Sequence, residues 1–102
     1  MNISVLTPDR QIFIGQISSA TLPGVEGEFQ VLDNHAALVS SLDGGKVKLV
    51  TSGEYRYFDE STNTTTDAQS ERRTLTFEIE RGFVEVLNNE INLLVQGVEK
   101  FR

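Results

Sequence analysis

Thr74-Leu75-Thr76-Phe77-Glu78-Ile79-Glu80 decides the fold class. Leu75, Phe77 and Ile79 share one face of an extended chain, and the threonines and glutamates share the other. Successive side chains of a strand point to opposite faces, so this alternation marks a strand with one side on a core and one in water. The same period returns in Ile3 and Val5, in Ile12 and Ile14 around Phe13, in Phe29 and Val31 around Gln30, and in Lys46-Val47-Lys48-Leu49-Val50-Thr51. Such segments recur roughly every eight to twelve residues, the spacing of a sandwich or barrel. Turn-formers lie between them: Pro8-Asp9 after the first strand, Pro23-Gly24 closing the third, and Asp43-Gly44-Gly45. Asn88-Asn89 separates the runs 83–87 and 91–95, and asparagine tolerates positive φ, so a tight hairpin is predicted there. Gly82 predicts a bend or bulge at a place where a side chain would clash. No apolar stripe of helical period is present. The expectation is an all-β domain.

One stretch breaks the pattern. Residues 59–73 (DESTNTTTDAQSERR) contain no apolar side chain larger than Ala68. Such a segment buries too little surface to offset its ordering entropy, which predicts a long, mobile, polar hairpin loop, with a recognition loop as the functional alternative.

The chain has 102 residues, the size of one domain. Nine basic and 15 acidic side chains give a charge of −6, which argues against a nucleic-acid binder that tracks phosphates. There is no cysteine, so neither disulfides nor a thiolate metal site can form, and His35 as the single histidine excludes a His-rich zinc site. No apolar run approaches the ~20 residues that span a bilayer. Met1-Asn2-Ile3-Ser4 lacks the charged and apolar regions of a signal peptide. A small, soluble, cytosolic domain is expected.

Candidate chemistry is sparse. Gly44-Gly45-Lys46 lacks the earlier glycine of a phosphate loop, is followed by Val47 rather than Ser or Thr, and reads as a hairpin turn. His35 with Asp33, Ser40 and Ser41 sketches a nucleophilic triad, but no nucleophile elbow surrounds it. Glu78 and Glu80 share the solvent face of their strand, which suits a surface better than an acid/base couple. No catalytic residue, metal site or cofactor is expected. Leu22-Pro23-Gly24-Val25-Glu26-Gly27-Glu28-Phe29 is more informative. Its glycines permit a sharp turn carrying two carboxylates, a reasonable site for a basic partner.

From this loop outward the chain resembles a known family. Thr7-Pro8-Asp9-Arg10 with Phe13 and Gly15, the loop itself, Val31-Leu32, His35-Ala36, Leu38, and Gly82-Phe83-Val84-Glu85-Val86 with Asn88-Asn89 stand in the order of the epsilon subunit of the F-type ATP synthase. The resemblance covers the whole chain apart from 59–73, which looks like an insertion. It implies a ten-stranded β-sandwich of two sheets, a single domain over 1–102. It also implies a non-catalytic rotor subunit of the central stalk, gripping gamma with one side and resting on the polar loops of the membrane c-ring. Glu26, Gly27 and Glu28 would face the c-ring, Glu28 foremost; Thr7, His35 and Ser40 would face gamma. The alpha/beta head would carry the chemistry, and the place would be peripheral, on the cytoplasmic face of a bacterial inner membrane.

Four departures follow. Asp33-Asn34 and Ala37 replace a Pro-Gly before the histidine and a proline after it, which should loosen that loop, although Asn34 can still turn left-handed. Arg81-Gly82 replaces a Gly-Gly pair, and Gln96 an acidic residue. The sequence given stops at Arg102, before the helical hairpin usual in the family, so neither an inhibitory arm nor an ATP site is expected. The alternative is a free-standing β-sandwich ligand- or carbohydrate-binding module using the 59–73 loop. Such modules usually expose aromatics, and here only Tyr55 and Tyr57 share a strand face.

Overall fold

The computed structural model describes residues 1–59, 64–69 and 72–99. They form nine strands: β1 (Asn2–Leu6), β2 (Gln11–Gly24), β3 (Gly27–Leu32), β4 (Leu38–Leu42), β5 (Gly45–Asp59), β6 (Thr64–Gln69), β7 (Thr74–Ile79), β8 (Arg81–Leu87) and β9 (Glu90–Gln96). The all-β expectation holds, with nine strands among the described residues where the resemblance implied ten.

Two strands are longer than their sequence pattern suggested. Ile12-Phe13-Ile14 and the segment ending at Pro23-Gly24 belong to one 14-residue strand, β2. The Lys46–Thr51 alternation and the tyrosines likewise belong to the 15-residue β5. Their mutual register shifts between Gly15 and Ile17 and again between Ile17 and Ser19. Irregularities of this kind bend a strand and change which face it buries, which breaks a period-two pattern in the sequence. Before the bend, β2 lies between β1 and the end of β5; after it, β2 lies between β3 and the start of β5. One layer therefore runs β6, β5, β2, β1, β9, β8, β4, and the other β3, β2, β5, β7. The expected two sheets are two layers of a continuous hydrogen-bonded network, because β2 and β5 pass through both. A single pair, Gly24 with Leu42, ties β4 back to the end of β2.

The layers close on one core. Ile3, Val5, Val84, Val86, Ile91, Leu93 and Val95 from the first meet Ala20, Leu22, Val31, Val47, Leu49, Leu75, Phe77 and Ile79, mainly from the second. Burying each such side chain contributes about 1.5–3 kcal/mol before entropy is counted. β7 shows the predicted alternation, with Leu75, Phe77 and Ile79 buried. Thr51 is the buried polar residue among those described; its backbone N–H donates to the Arg73 carbonyl at 2.8 Å, and its Oγ1 accepts from the Arg73 N–H at 2.7 Å.

Two sequence expectations need correction. Within 59–73, residues 64–69 form β6, which pairs antiparallel with the end of β5. Threonine is β-branched and fits an extended chain, so a polar composition did not exclude a strand there. Residues 60–63, 70 and 71 of that loop reading lie outside the described residues. At Gly82 the β8–β9 and β8–β4 registers run unbroken, so there is no bulge. The glycine is needed because a Cβ would stand 2.7 Å from the Leu94 carbonyl oxygen. The Asn88-Asn89 hairpin is present, with φ of 51° and 63° as a type I′ turn requires.

Candidate functional site

The acidic loop is the tip of the β2–β3 hairpin. Six consecutive pairs, from Ser19–Leu32 to Gly24–Gly27, hold its stem. Gly27 takes φ 127°, a conformation that side-chain-bearing residues avoid. A Cβ on Gly24 would stand 2.7 Å from the Gly27 carbonyl oxygen and 2.9 Å from the Phe29 ring. The two glycines thus let the hairpin close tightly, and Val25, Glu26, Gly27 and Glu28 are all exposed at its tip. Glu26 and Glu28 meet no cation among the described residues. Two carboxylates are held out on a stem of paired backbone, open to an incoming donor.

Thr7 follows β1 at the same end of the sandwich. Its Oγ1 accepts from the backbone N–H groups of Asp9 (3.3 Å) and Arg10 (3.2 Å) and donates to the Arg10 carbonyl at 3.1 Å, so it shapes the Pro8-Asp9 turn. Leu6, Thr7 and Pro8 border an open, mostly apolar cleft of about 280 Å³ against Gly82, Phe83 and Leu94. Phe83 pairs with Leu94, and Leu94 with Leu6, so these side chains lie side by side on the outward face. Phe83 and Leu94 are 41% and 48% exposed, too open to count as core. This apolar strip had no signal in the sequence, because an outward position differs from an inward one only through strand register.

His35 lies at the other end. Its loop joins β3 to β4, beside the Asn88-Asn89 turn and the start of the chain. Asn34 is left-handed (φ 63°), as a glycine there would be, and its N–H donates to Asn89 Oδ1 at 2.8 Å. The His35 N–H donates to the Leu32 carbonyl at 3.1 Å, and its ring Nδ1 lies 2.7 Å from the Ala36 carbonyl, which requires the proton on Nδ1. Asp33 accepts at 2.8 Å from the Met1 ammonium. These ties stand where prolines were missing from the sequence.

Ser40 sits midway along β4, half-buried on its inward side, its Oγ–H donating to the Ser41 carbonyl at 3.1 Å. Thr7, Ser40 and His35 are therefore spread along the sandwich rather than clustered, with β4 alone contributing about 13 Å of length between its ends. Three of the four residues in the triad sketch are engaged elsewhere: Asp33 with Met1, His35 with Ala36, Ser40 with Ser41. Gln96 accepts from Arg81 Nε at 2.7 Å, so the two departures from the family pattern at those positions meet as one pair. Among the described residues no helix is long and apolar enough to cross a membrane.

Residues 1–61 match the family described as "ATP synthase, Delta/Epsilon chain, beta-sandwich domain". The ATP synthase epsilon chain of Chlorobaculum tepidum is 35% identical over 96 residues, 94% of this chain and 89% of that one. That of Campylobacter jejuni is 51% identical over 49 residues, 48% of this chain and 38% of that one. Among solved structures, a chain in the central stalk and c-ring assembly of the Tetrahymena thermophila mitochondrial ATP synthase superposes with a TM-score of 0.61 at 18% identity, over 98% of this chain and 66% of that one. A chain of the Euglena gracilis mitochondrial enzyme gives 0.67 at 17% identity, over 95% and 51%. At those identities the structures speak for the fold. The family model and these relatives place the lineage: this chain belongs to the ATP synthase epsilon-chain family, as a β-sandwich domain of it.

Proposed function

We propose that the chain is a non-catalytic rotor subunit of the ATP synthase central stalk. It links gamma to the c-ring, so that proton transport through the membrane sector is coupled to ATP synthesis in the alpha/beta head. Its place is peripheral, on the cytoplasmic face of a bacterial inner membrane. The observation that carries this reading is the hairpin tip. Exposed Glu26 and Glu28, on a stem of six paired positions, suit a foot that meets polar c-ring loops through charge-assisted hydrogen bonds. Gly27 sets the turn between them.

Gamma takes the long side of the sandwich. Thr7 with the exposed Phe83–Leu94 strip lies at one end of that contact and His35 at the other, with Ser40 on the β4 edge between them. A rotor coupler must transmit force without internal slip, and a sandwich with one shared core meets that need better than loops do. Membranes carrying an assembled Glu26→Gln/Glu28→Gln complex test the reading. ATP-driven proton pumping should fall severalfold while ATP hydrolysis continues. Pumping that keeps its ratio to hydrolysis removes the tip from coupling. A tagged chain should also recover gamma and c subunits from detergent-solubilised membranes, and a chain recovered alone defeats the rotor reading altogether.

A further inference from the structure

Beside the Phe83–Leu94 strip stands a cation. Arg81 pairs with Gln96 across β8 and β9, two residues along from Phe83 and Leu94 and on the same outward face. Arg81 Nε donates to Gln96 Oε1 at 2.7 Å, and both side chains line the cleft with Leu6, Phe83 and Leu94. That single bond leaves both terminal NH2 groups of the guanidinium unspent among the described residues. No acid answers the charge from within: the Glu80 side chain lies over Gly97, and Asp9 in the neighbouring turn forms no ion pair with Arg81. In a chain of charge −6, an open cation therefore borders an exposed apolar strip.

We propose that Arg81 and the Phe83–Leu94 strip form one composite docking site, and that the gamma segment it takes presents a carboxylate beside an apolar side chain. The strip receives the apolar side chain, and the guanidinium fork receives the carboxylate through paired N–H···O bonds. Positions 81 and 83 lie two strand steps apart, about 7 Å, so the partner's two groups share that spacing. β8 is bonded on both sides, by β4 and β9, and β9 by β8 and β1, so no backbone edge is free here and side chains make the contact. Gln96 is suited to its part. An acid at that position would pair with Arg81 and close it to a partner, whereas the neutral amide orients the guanidinium and leaves its charge whole. Once docked, the apolar neighbours exclude water from the ion pair and strengthen it.

The partner's identity rests on the rotor reading, and the chemistry of the site on Arg81 and its cleft. Binding of the full 102-residue chain to purified gamma is measured at low and at high salt. Arg81→Gln should bind about tenfold more weakly at low salt and lose most of its salt dependence, and Arg81→Glu should bind more weakly still. Gln96→Glu, which keeps Arg81 but gives it an internal partner, should weaken binding about threefold. Leu94→Ser should cost about tenfold at both salt concentrations, because it removes the apolar half. Lys48→Glu makes the same change in net charge on the outward side of the other layer and should bind as the parent does. Should Arg81→Glu fail to fold, Arg81→Gln and Gln96→Glu decide. Equal affinity of Arg81→Gln and parent at low salt overturns the proposal, as does an unaltered Leu94→Ser. A loss in Lys48→Glu as large as in Arg81→Glu also overturns it, by marking net charge as the cause. A parent chain that does not bind gamma defeats the rotor reading itself, and this site's assignment to gamma falls with it.

Discussion

The two ends of the sandwich are built differently. At the tip end, Glu26 and Glu28 hang from a hairpin ordered by paired backbone, two glycines and the buried Leu22 in its stem. At the other end, the His35 loop has no strand pairing and is held by an ion pair, an asparagine side chain and a buried terminus. Precision at the tip is therefore written into β-strand register, and the charge there meets no cation among the described residues. Precision at the loop consumes its own polar groups. Substitutions should separate the ends by kind: the tip should tolerate loss of charge but not of backbone geometry, and the loop the reverse.

The sharpest way to break the tip is from beneath. Leu22, fully buried in the stem, should cost about 2–5 kcal/mol as Leu22→Ala, read as a lower urea midpoint. A midpoint within error of the parent would mean that the stem does not lean on the core. Gly24→Ala comes next, at about 1–3 kcal/mol, because the added methyl meets the Gly27 carbonyl and the Phe29 ring. If it proves neutral, the hairpin is looser than its geometry implies. Asn89→Gly keeps the left-handed turn and removes only the side-chain acceptor for Asn34. It should cost about 0.5–1.5 kcal/mol, with chemical-shift changes confined to residues 33–37 and their contacts. Shifts spreading through β8 and β9 would show that the turn, not the loop, depends on that side chain. Smallest in stability is Glu26→Gln/Glu28→Gln, within about 0.5 kcal/mol of the parent because both carboxylates are exposed and meet no cation among the described residues. A larger loss would give these residues a structural part and blur the contrast between the ends.

How much of this could be read from the sequence follows the same division. β7, β8 and β9 announce themselves, since each keeps a strict period of two, and Asn88-Asn89 names its turn. The tip was legible because glycine and glutamate in that spacing leave few conformations open. β2 and β5 were legible only in pieces: a strand that changes register partway carries no single alternation, and Ile12 and Phe13 are both buried as neighbours. β6 was lost because threonine pairing needs no apolar mark. The exposed strip of Phe83 and Leu94 and the Met1–Asp33 pair depend on which distant strands lie side by side, and no local pattern encodes that.

β2 and β5 have a mechanical meaning that goes beyond topology. In a sandwich of separate sheets, the layers meet only through side chains, and a lateral load can slide one over the other by letting those contacts re-form one step along. Here two covalent backbones are threaded through both layers and bonded to each other on either side of the bend. Sliding would require those strands to stretch or the β2–β5 register to tear, and the cross-links are peptide bonds. The fold is stitched rather than stacked, so it should give way all at once or not at all, with no half-sheared state in between.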